Sequence, residues 1–267
     1  MSLISVERLH FAYGKEQILR DVDLRIDSGD FVCILGESGC GKSTFLRLMA
    51  GLAEPTSGAI RIDGRPVRGA GLDRGVVFQD YSLFPWFSAG RNIVLSLRQK
   101  FKDKSKKELK EIVLRGLRDV GLDESVYRKY PFELSGGMRQ RCAICRAFAL
   151  DPPVLLMDEP FGALDAITRG RLQRMILRLW RQDEQRRKTI LFVTHDVDEA
   201  LLLANKIFVF GSSPGRLIHS CELPEGTKPP VEELFDDPGI IRLRTRLLQV
   251  LNNDVTMQIS AEGEYPT

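Results

Sequence analysis

The sequence lacks any apolar run near the ~18–20 residues that a membrane-spanning helix requires. Residues 1–8 also lack the basic start and apolar centre of a secretion signal. We therefore expect a protein that stays in the cytosol and reaches a membrane only through a partner. Internal repeats are absent as well, and a hydrophobic content of 43% with 28% charged residues is typical of an ordinary globular chain.

Cysteine is scarce, and the five residues at positions 33, 40, 142, 145 and 221 are too few and too scattered for a disulfide framework. Cys142 and Cys145 have the spacing of metal ligands, but no second Cys or His pair accompanies them. We favour small buried residues over a zinc or redox site there. Cys40 lies between a predicted strand and a predicted helix. The N-terminus of that helix could lower the pKa of the thiol and make it reactive, but we favour the interpretation that Cys40 is a tolerated small residue.

Positively charged residues barely outnumber negatively charged ones, with 39 Lys and Arg against 36 Asp and Glu. The net charge of +3 is too small to indicate nucleic acid, and we expect no nucleic-acid partner. Residues 100–110 form a basic run that we interpret as the solvated face of a helix rather than a binding patch.

The most informative stretch is a glycine-rich turn between a short apolar run, residues 31–35, and a helical pattern that starts near Lys42. This is the strand, loop and helix context of the G-x-x-x-x-G-K-[ST] phosphate loop. Its glycines let backbone N–H groups converge on phosphate oxygens, and the helix start adds donors and a positive dipole end. Lys42 supplies charge for the β- and γ-phosphates, and Ser43 is placed to bind Mg²⁺. The turn reads Gly36-Glu37-Ser38-Gly39-Cys40-Gly41-Lys42-Ser43-Thr44.

Polar side chains also end three other predicted strands. Gln79 follows residues 75–78, and His195 follows 190–194. Asp158 and Glu159 follow the continuous apolar run 154–157, at a strand end where α/β sheets place ligands. Adjacent strand residues face opposite ways, so we assign Asp158 to the Mg²⁺ shell and Glu159 to a water.

Three further features suggest contacts. Tyr13 lies before a turn upstream of the phosphate loop, where its ring can stack on a base. Ser135-Gly136-Gly137 enters a helical pattern and predicts a second anion site. The aromatic loop, Asp80-Tyr81-Ser82-Leu83-Phe84-Pro85-Trp86-Phe87, either contacts a partner or folds onto its own domain, and the residues alone favour neither.

In their order and spacing these motifs resemble the ATP-binding cassette ATPases of ABC transporters, over residues 3 to about 220. The Walker motifs alone indicate only a P-loop NTPase, whereas the signature between them is far more specific. The matching segments are Gly36 to Thr44 (Walker A), Val154 to Glu159 (Walker B), Leu134 to Gln140 (signature), Tyr13 (adenine-stacking aromatic), Gln79 (Q-loop), Ala163-Leu164-Asp165 (D-loop) and His195 (switch histidine).

The resemblance implies an α/β fold: a P-loop NTPase (RecA-like) core with an N-terminal antiparallel β subdomain and an inserted α-helical signature subdomain. On this pattern residues 1–222 form the nucleotide-binding domain, with its helical subdomain at about 91–150. Residues 223–267 form a C-terminal extension with one helix, which we expect over residues 240–251 and followed by a frayed end.

The resemblance also implies ATP and Mg²⁺ as cofactors and a head-to-tail homodimer. Each ATP would be held by Walker A of one subunit and by Ser135 and Gly137 of the other, with Gly136 and Asp165 close by. Glu159 would be the general base, and His195 would contact the γ-phosphate. The Mg²⁺ would be held by Ser43, Gln79 and Asp158, and Gln79 would also contact the attacking water as a catalytic residue.

Within the family, three segments resemble the nitrate/sulfonate/taurine importer ATPases: Leu83-Phe84-Pro85-Trp86 in the aromatic loop, the signature from Leu134 to Arg141, and Ser213-Pro214-Gly215-Arg216. That branch implies a membrane permease contacted through the aromatic loop, a solute-binding protein as an indirect partner, and a place on the cytoplasmic face of the inner membrane. Bicarbonate and vitamin-precursor importers are alternatives, because Phe84 and residues 88–90 depart from the commonest pattern. A soluble ABC ATPase acting on nucleic acid or ribosomes is disfavoured, since the chain carries one cassette and no long coiled-coil insertion.

Overall fold

The computed structural model describes residues 2–162, 164–182, 187–223, 228–229 and 231–262. They fall into two compact units, one within residues 1–70 and 189–267 and the other within Gly71–Lys188. In chain order the elements are β1 (Ser2–Tyr13), β2 (Glu16–Asp27), β3 (Phe31–Leu35), α1 (Lys42–Met49), β4 (Ser57–Ile62), β5 (Arg65–Pro66), β6 (Arg74–Val77), α2 (Ala89–Lys100), α3 (Lys106–Asp119), α4 (Gly136–Ala149), β7 (Val154–Asp158), α5 (Ala166–Arg181), β8 (Thr189–Thr194), α6 (Val197–Leu203), β9 (Lys206–Phe210), β10 (Leu217–Glu222) and α7 (Pro238–Glu262).

The first unit begins with an antiparallel sheet in the order β2-β1-β4-β5. Val6 on β1 pairs with Leu24 on one side and Ile60 on the other, and all three side chains are buried. β2 is one continuous strand: Asp21 adopts a left-handed φ of 50° at an irregularity in the pairing with β1, and the strand continues beyond it. The predicted N-terminal antiparallel β subdomain is confirmed.

A mixed sheet in the order β10-β9-β3-β8 completes the first unit. β3 runs parallel to both β8 and β9, and every residue of β3 and β8 is buried, as expected for parallel strands covered on both faces. Leu35 is in register with Thr194. The residues that follow these strands, Gly36 and His195, therefore start from the same edge of the sheet.

The C-terminal helix α7 belongs to this unit and packs beside α6. Its apolar face buries Ile240 and Leu247. The predicted helix is confirmed, but its predicted end is wrong, because the backbone remains helical to Glu262. The reason is local: residues 252–262 contain neither Gly nor Pro to stop the helix.

The second unit contains two parallel strands, β6 and β7, and four long helices, α2 to α5. Two 3₁₀ turns, Glu124–Arg128 and Pro131–Glu133, lie between α3 and α4. α3 and α4 pack closely, since a Cβ built at Gly116 would lie 2.8 Å from the sulfur of Cys145. Helices α2, α3 and α4 cover most of the predicted helical stretch at 91–150; the domain boundaries placed there and at 222/223 stay predictions.

Candidate active site

The phosphate loop lies between β3 and α1, as its sequence predicts, and its glycines are required by close packing. Gly41 caps α1 with φ 95°, and a Cβ there would lie 2.8 Å from Leu19 Cδ2. A Cβ at Gly36 would lie 2.7 Å from the carbonyl oxygen of Phe210. Gly39 also has a positive φ, 85°, but nothing lies within 4 Å of its Cβ position. The loop is therefore seated tightly at both ends and open at its middle.

Lys42 points back into this loop. Its side chain is only 4% exposed, and Nζ donates hydrogen bonds to the carbonyl oxygens of Gly36 (2.9 Å) and Glu37 (2.6 Å). The ammonium group thus sits within the concavity that the backbone forms, where it can meet an anion. Around it Glu37, Ser38 and Gly39 are exposed, and Ser43 and Thr44 are half-buried in the first turn of α1.

Cys40 is a packing residue. It is 2% exposed, and its sulfur lies 2.9 Å from the Cβ position of Gly36. Burial raises the pKa of the thiol, and nearby Lys42 only partly opposes the shift. The alternative of a lowered pKa at the helix N-terminus is therefore wrong, and the favoured interpretation of a small buried residue agrees with the structure.

Two other predicted residues belong to the same unit. Tyr13 ends β1 with half of its side chain exposed, while the edge of its ring packs on Phe11 at 4.7 Å between centroids. Half of the residue is thus exposed and available for contact. His195 is exposed directly after β8, and the next residue, Asp196, caps α6 by accepting hydrogen bonds from the backbone N–H groups of Asp198 and Glu199. The cap fixes the chain just beyond the histidine.

In the second unit the structure brings Gln79 and Glu159 together. β6 and β7 are parallel, with Val77 in register with Met157, so both strands deliver their next residues to one edge. Gln79 Nε2 and Glu159 Oε2 each lie 3.8 Å from the Cβ position of Gly162. Glu159 holds an uncommon left-handed φ of 39°, and strain of this kind in a non-glycine residue is often found at functional sites. Asp158, at the end of β7, is only 7% exposed.

The signature and the D-loop residue form two neighbouring helix starts. Ser135 caps α4 by accepting from the N–H of Met138 (3.3 Å), and Asp165 caps α5 by accepting from the N–H of Thr168 (2.9 Å). These hydrogen bonds lower the pKa of Asp165. A Cβ at Gly137 would lie 2.9 Å from Thr168 Cγ2, and Gly136 lies near the Tyr81 hydroxyl. Ala163 lies outside the described residues.

The aromatic loop projects from the unit and is firmly held. Trp86 is 65% exposed and Phe84 40% exposed, with ring centroids 5.4 Å apart. Buried Asn92 accepts a hydrogen bond from the N–H of Phe84 (2.7 Å) and donates to the carbonyl oxygens of Phe84 (3.1 Å), Phe87 (3.0 Å) and Ser88 (3.1 Å). Sequence reasoning missed Asn92, although a lone amide at a helix start is the kind of residue that holds such a loop.

Arg146 of α4 is a second residue that sequence reasoning missed. Its guanidinium donates to the carbonyl oxygens of Ser82 (2.5 Å) and Tyr81 (3.3 Å), directly after Gln79. Burial lowers the pKa of the guanidinium, and Asp80 opposes the shift. The only signal in the sequence is an arginine that interrupts the apolar residues from Cys142 to Ala149.

Two sequence features remain, the pair Cys142 and Cys145 and the basic run at residues 100–110. Cys142 and Cys145 are buried on α4, and burial raises the pKa of the Cys142 thiol to about 12. The described part of the chain contains no cluster of three His, Cys, Asp or Glu side chains able to hold a metal ion. In the basic run, Lys100 donates to the carbonyl oxygens of Leu150 and Asp151, just after α4. Burial favours the structural interpretation of the two cysteines. The prediction that the basic run is one helix face is wrong, because residues 100–110 comprise the end of α2, the non-helical residues 101–105 and the start of α3.

Comparison with known proteins decides the family. Residues 19–162 match the family described as ABC transporter. The chain belongs to the ABC transporter family. This ABC ATPase is 44% identical to the nitrate import ATP-binding protein NrtD of Synechococcus elongatus, over 89% of this chain and 86% of NrtD. It is 40% identical to the bicarbonate transport ATP-binding protein CmpD of Synechocystis sp., over 91% of this chain and 85% of CmpD.

Solved structures agree with the fold. The ABC ATPase is similar to a dimeric, post-hydrolysis state of the ATP-binding cassette MJ0796 bound to ADP and Pi, with a TM-score of 0.73 and 32% identity over 83% of this chain and 99% of that one. The predicted α/β P-loop NTPase fold is thereby confirmed. No helix among the described residues has the length and hydropathy needed to cross a bilayer.

Proposed function

We propose that this ABC ATPase drives the import of a small oxyanion, of the nitrate or bicarbonate type, through a separate membrane permease. The observation that carries the proposal is the similarity to NrtD and CmpD, which extends over 89% and 91% of the chain and is not limited to the ATPase motifs. The same similarity supports a position at the cytoplasmic face of the inner membrane, bound through the permease and fed by a solute-binding protein.

ATP binding is assigned to the phosphate loop and Tyr13. The buried ammonium group of Lys42 and the open middle of the loop at Gly39 suit the β- and γ-phosphates. The half-exposed ring of Tyr13 suits the adenine ring, with base–aromatic stacking worth ~1–3 kcal/mol.

Hydrolysis is assigned to Glu159 as general base, with Gln79 orienting the attacking water and His195 contacting the γ-phosphate. Catalysis of this kind works by positioning and by neutralising charge. Ser43, Asp158 and Gln79 offer hydroxyl, carboxylate and amide oxygens, which are the hard ligands that Mg²⁺ prefers. When bound, Mg²⁺ would neutralise charge on the phosphates.

The proposed active form is a head-to-tail homodimer. Ser135, Gly136 and Gly137 begin α4 with exposed or half-buried backbone and can offer N–H donors to an ATP held by a second copy. Asp165 starts the adjacent helix α5 and belongs to the same surface of the unit. The similarity to a dimeric cassette supports this assembly.

The permease contact is assigned to the aromatic loop. Exposed aromatic side chains are the usual anchors of protein interfaces, and this loop presents Phe84 and Trp86 in a shape fixed by Asn92. A preorganised loop loses little conformational entropy on docking.

Affinity purification of tagged protein from detergent-solubilised membranes of the source cells tests the import proposal. We expect a multi-span permease and a solute-binding protein, identified by mass spectrometry. The Trp86→Ala variant serves as the matched negative sample. Recovery of ribosomes or DNA-repair proteins, with no membrane protein, would overturn the proposal while leaving the ATPase assignment intact.

A further inference from the structure

The C-terminal helix α7 is hydrogen-bonded to a loop that lies against the phosphate loop. Asp254 on α7 accepts hydrogen bonds from the backbone N–H of Ser212 (2.6 Å) and from the Ser212 hydroxyl, and Arg216 Nη2 lies 3.8 Å away. The carboxylate is mostly buried, with 13% of the side chain exposed. A Cβ at Gly211 would lie 2.9 Å from an Asp254 oxygen. The segment between β9 and β10, residues 211–216, is thus held at both of its ends and is called the 211–216 loop below.

The 211–216 loop in turn packs directly against the phosphate loop. A Cβ at Gly215 would lie only 2.1 Å from the carbonyl oxygen of Cys40, so the two backbones are in direct contact. Gly215 also exchanges hydrogen bonds with β2: its N–H donates to Ile18 (2.8 Å), and its carbonyl accepts from Arg20 (2.9 Å). Ile18 and Leu19 are the same residues that pack against Gly41. A movement of the 211–216 loop would therefore displace the phosphate loop, both by direct contact and through β2.

A second tie connects α7 with the segment after His195. Arg244 Nε donates to Asp198 Oδ1 at 2.6 Å and Nη2 to Oδ2 at 3.2 Å, a bidentate pair between α7 and the first turn of α6. The pair is half-exposed and contributes little free energy by itself, but it fixes where α7 lies along α6.

We propose that Asp254 is a positioning residue for the phosphate loop, so that the C-terminal extension sets the affinity of the ATPase for ATP. Asp254 touches no reacting atom; it acts by holding the 211–216 loop against Cys40. The inference rests on the proposed function, since it takes the phosphate loop to be the ATP site. Its carboxylate also helps to raise the pKa of the Cys40 thiol, in accord with the short path between them.

ATP binding by full-length Asp254→Ala and Asp254→Asn variants tests this role. We expect Kd from calorimetry and KM for ATP to rise about 5- to 10-fold for Asp254→Ala, within the range of ordinary coupling between sites, with kcat changed less than about twofold. Asn keeps one acceptor oxygen for Ser212, so its effect is expected to be smaller. Asn253→Ala, an exposed neighbour on α7, is the matched control and should bind ATP like the original protein.

Ser212→Ala perturbs the same contact from the other side and covers the case in which an Asp254 variant does not fold. We expect its effect on Kd to be non-additive with that of Asp254→Ala. Alkylation of Cys40 by N-ethylmaleimide, mapped by mass spectrometry, should accelerate in Asp254→Ala relative to Cys221, the half-buried internal reference. A role confined to overall stability would lower the unfolding temperature and leave Kd unchanged.

The outcomes separate the two proposals. If Lys42→Ala abolishes ATP binding while the Asp254 and Ser212 variants bind like Asn253→Ala, the positioning role is overturned and the ATP site stands. If Lys42→Ala binds ATP as the original protein does, the assignment of the phosphate loop itself fails.

Discussion

Arg146 donates a 2.5 Å hydrogen bond to the carbonyl oxygen of Ser82, so the helix that starts at the signature holds the loop that follows Gln79. Arg139 of the same helix adds a cation–π contact, 5.7 Å from the ring of Tyr81. α4 therefore links its own N-terminus, the proposed contact with the second ATP, to the segment between Gln79 and the aromatic loop.

Replacing Arg146 with Ala should destabilise the protein and slow turnover. The carbonyl oxygens of Ser82 and Tyr81 lose a charged donor in a part-buried position, for which a loss of about 2–3 kcal/mol of unfolding free energy is expected. Lys keeps the charge but not the planar fork, and should fall in between. Urea unfolding and kcat for ATP are the measurements, with exposed Arg98→Ala as the control. Equal stability of the Arg146→Ala and Arg98→Ala proteins would contradict the linkage.

Glu159→Gln should remove ATP turnover, by about 10²-fold or more, while ATP still binds, because the amide cannot accept the proton of the attacking water. An ATP-bound dimer should then accumulate. Phosphate release and light scattering with ATP report the two effects, and Glu111→Gln, at an exposed position of α3, serves as the control. A variant that stays monomeric with saturating ATP would count against the head-to-tail assembly.

Cys40 should react slowly with alkylating reagents at neutral pH. Burial holds the pKa of the thiol above its ordinary value of 9.0, so it remains protonated at neutral pH and forms thiolate only as the pH rises beyond that value. The rate of iodoacetamide modification of Cys40, followed from pH 7 to 10, is the measurement. Rapid modification with a midpoint below pH 8.5 would refute the packing role.

Trp86→Ala should weaken association with the permease by about 30-fold, the loss of ~2 kcal/mol typical of an interface anchor. Urea unfolding should change little, since most of this side chain is exposed. Leu52→Ala, which removes another exposed apolar side chain, is the matched control. The measurement is recovery of the permease on tagged protein at graded salt and detergent. Undiminished recovery would place the permease contact elsewhere.

Much of the site could be predicted because short, contiguous segments of the sequence determine it. A glycine-rich turn between an apolar strand and a helix specifies the phosphate loop within nine residues, 36–44, and apolar runs that end in Gln79, Glu159 and His195 mark strand ends. Such short sequence patterns predict the folded structure because the backbone conformation of a turn or a helix start depends mainly on neighbouring residues.

What could not be predicted depends on residues distant in sequence. Arg146 bonds a carbonyl 64 residues away, and Asp254 bonds Ser212 across 42 residues. Neither spacing has a period or a motif, so only the folded chain shows the pairing. The length of α7 was underestimated for a different reason: polar residues such as Asn252 and Asn253 lower helix propensity but do not stop a helix that packing has already started.

Uptake by source cells lacking this gene tests the central claim most directly. Cells complemented with the unaltered gene should take up labelled nitrate or bicarbonate, and cells complemented with Glu159→Gln should not, although the variant protein is present at the same level. Uptake of both anions that is indifferent to the gene, or equal uptake with Glu159→Gln, would contradict an ATPase that drives oxyanion import.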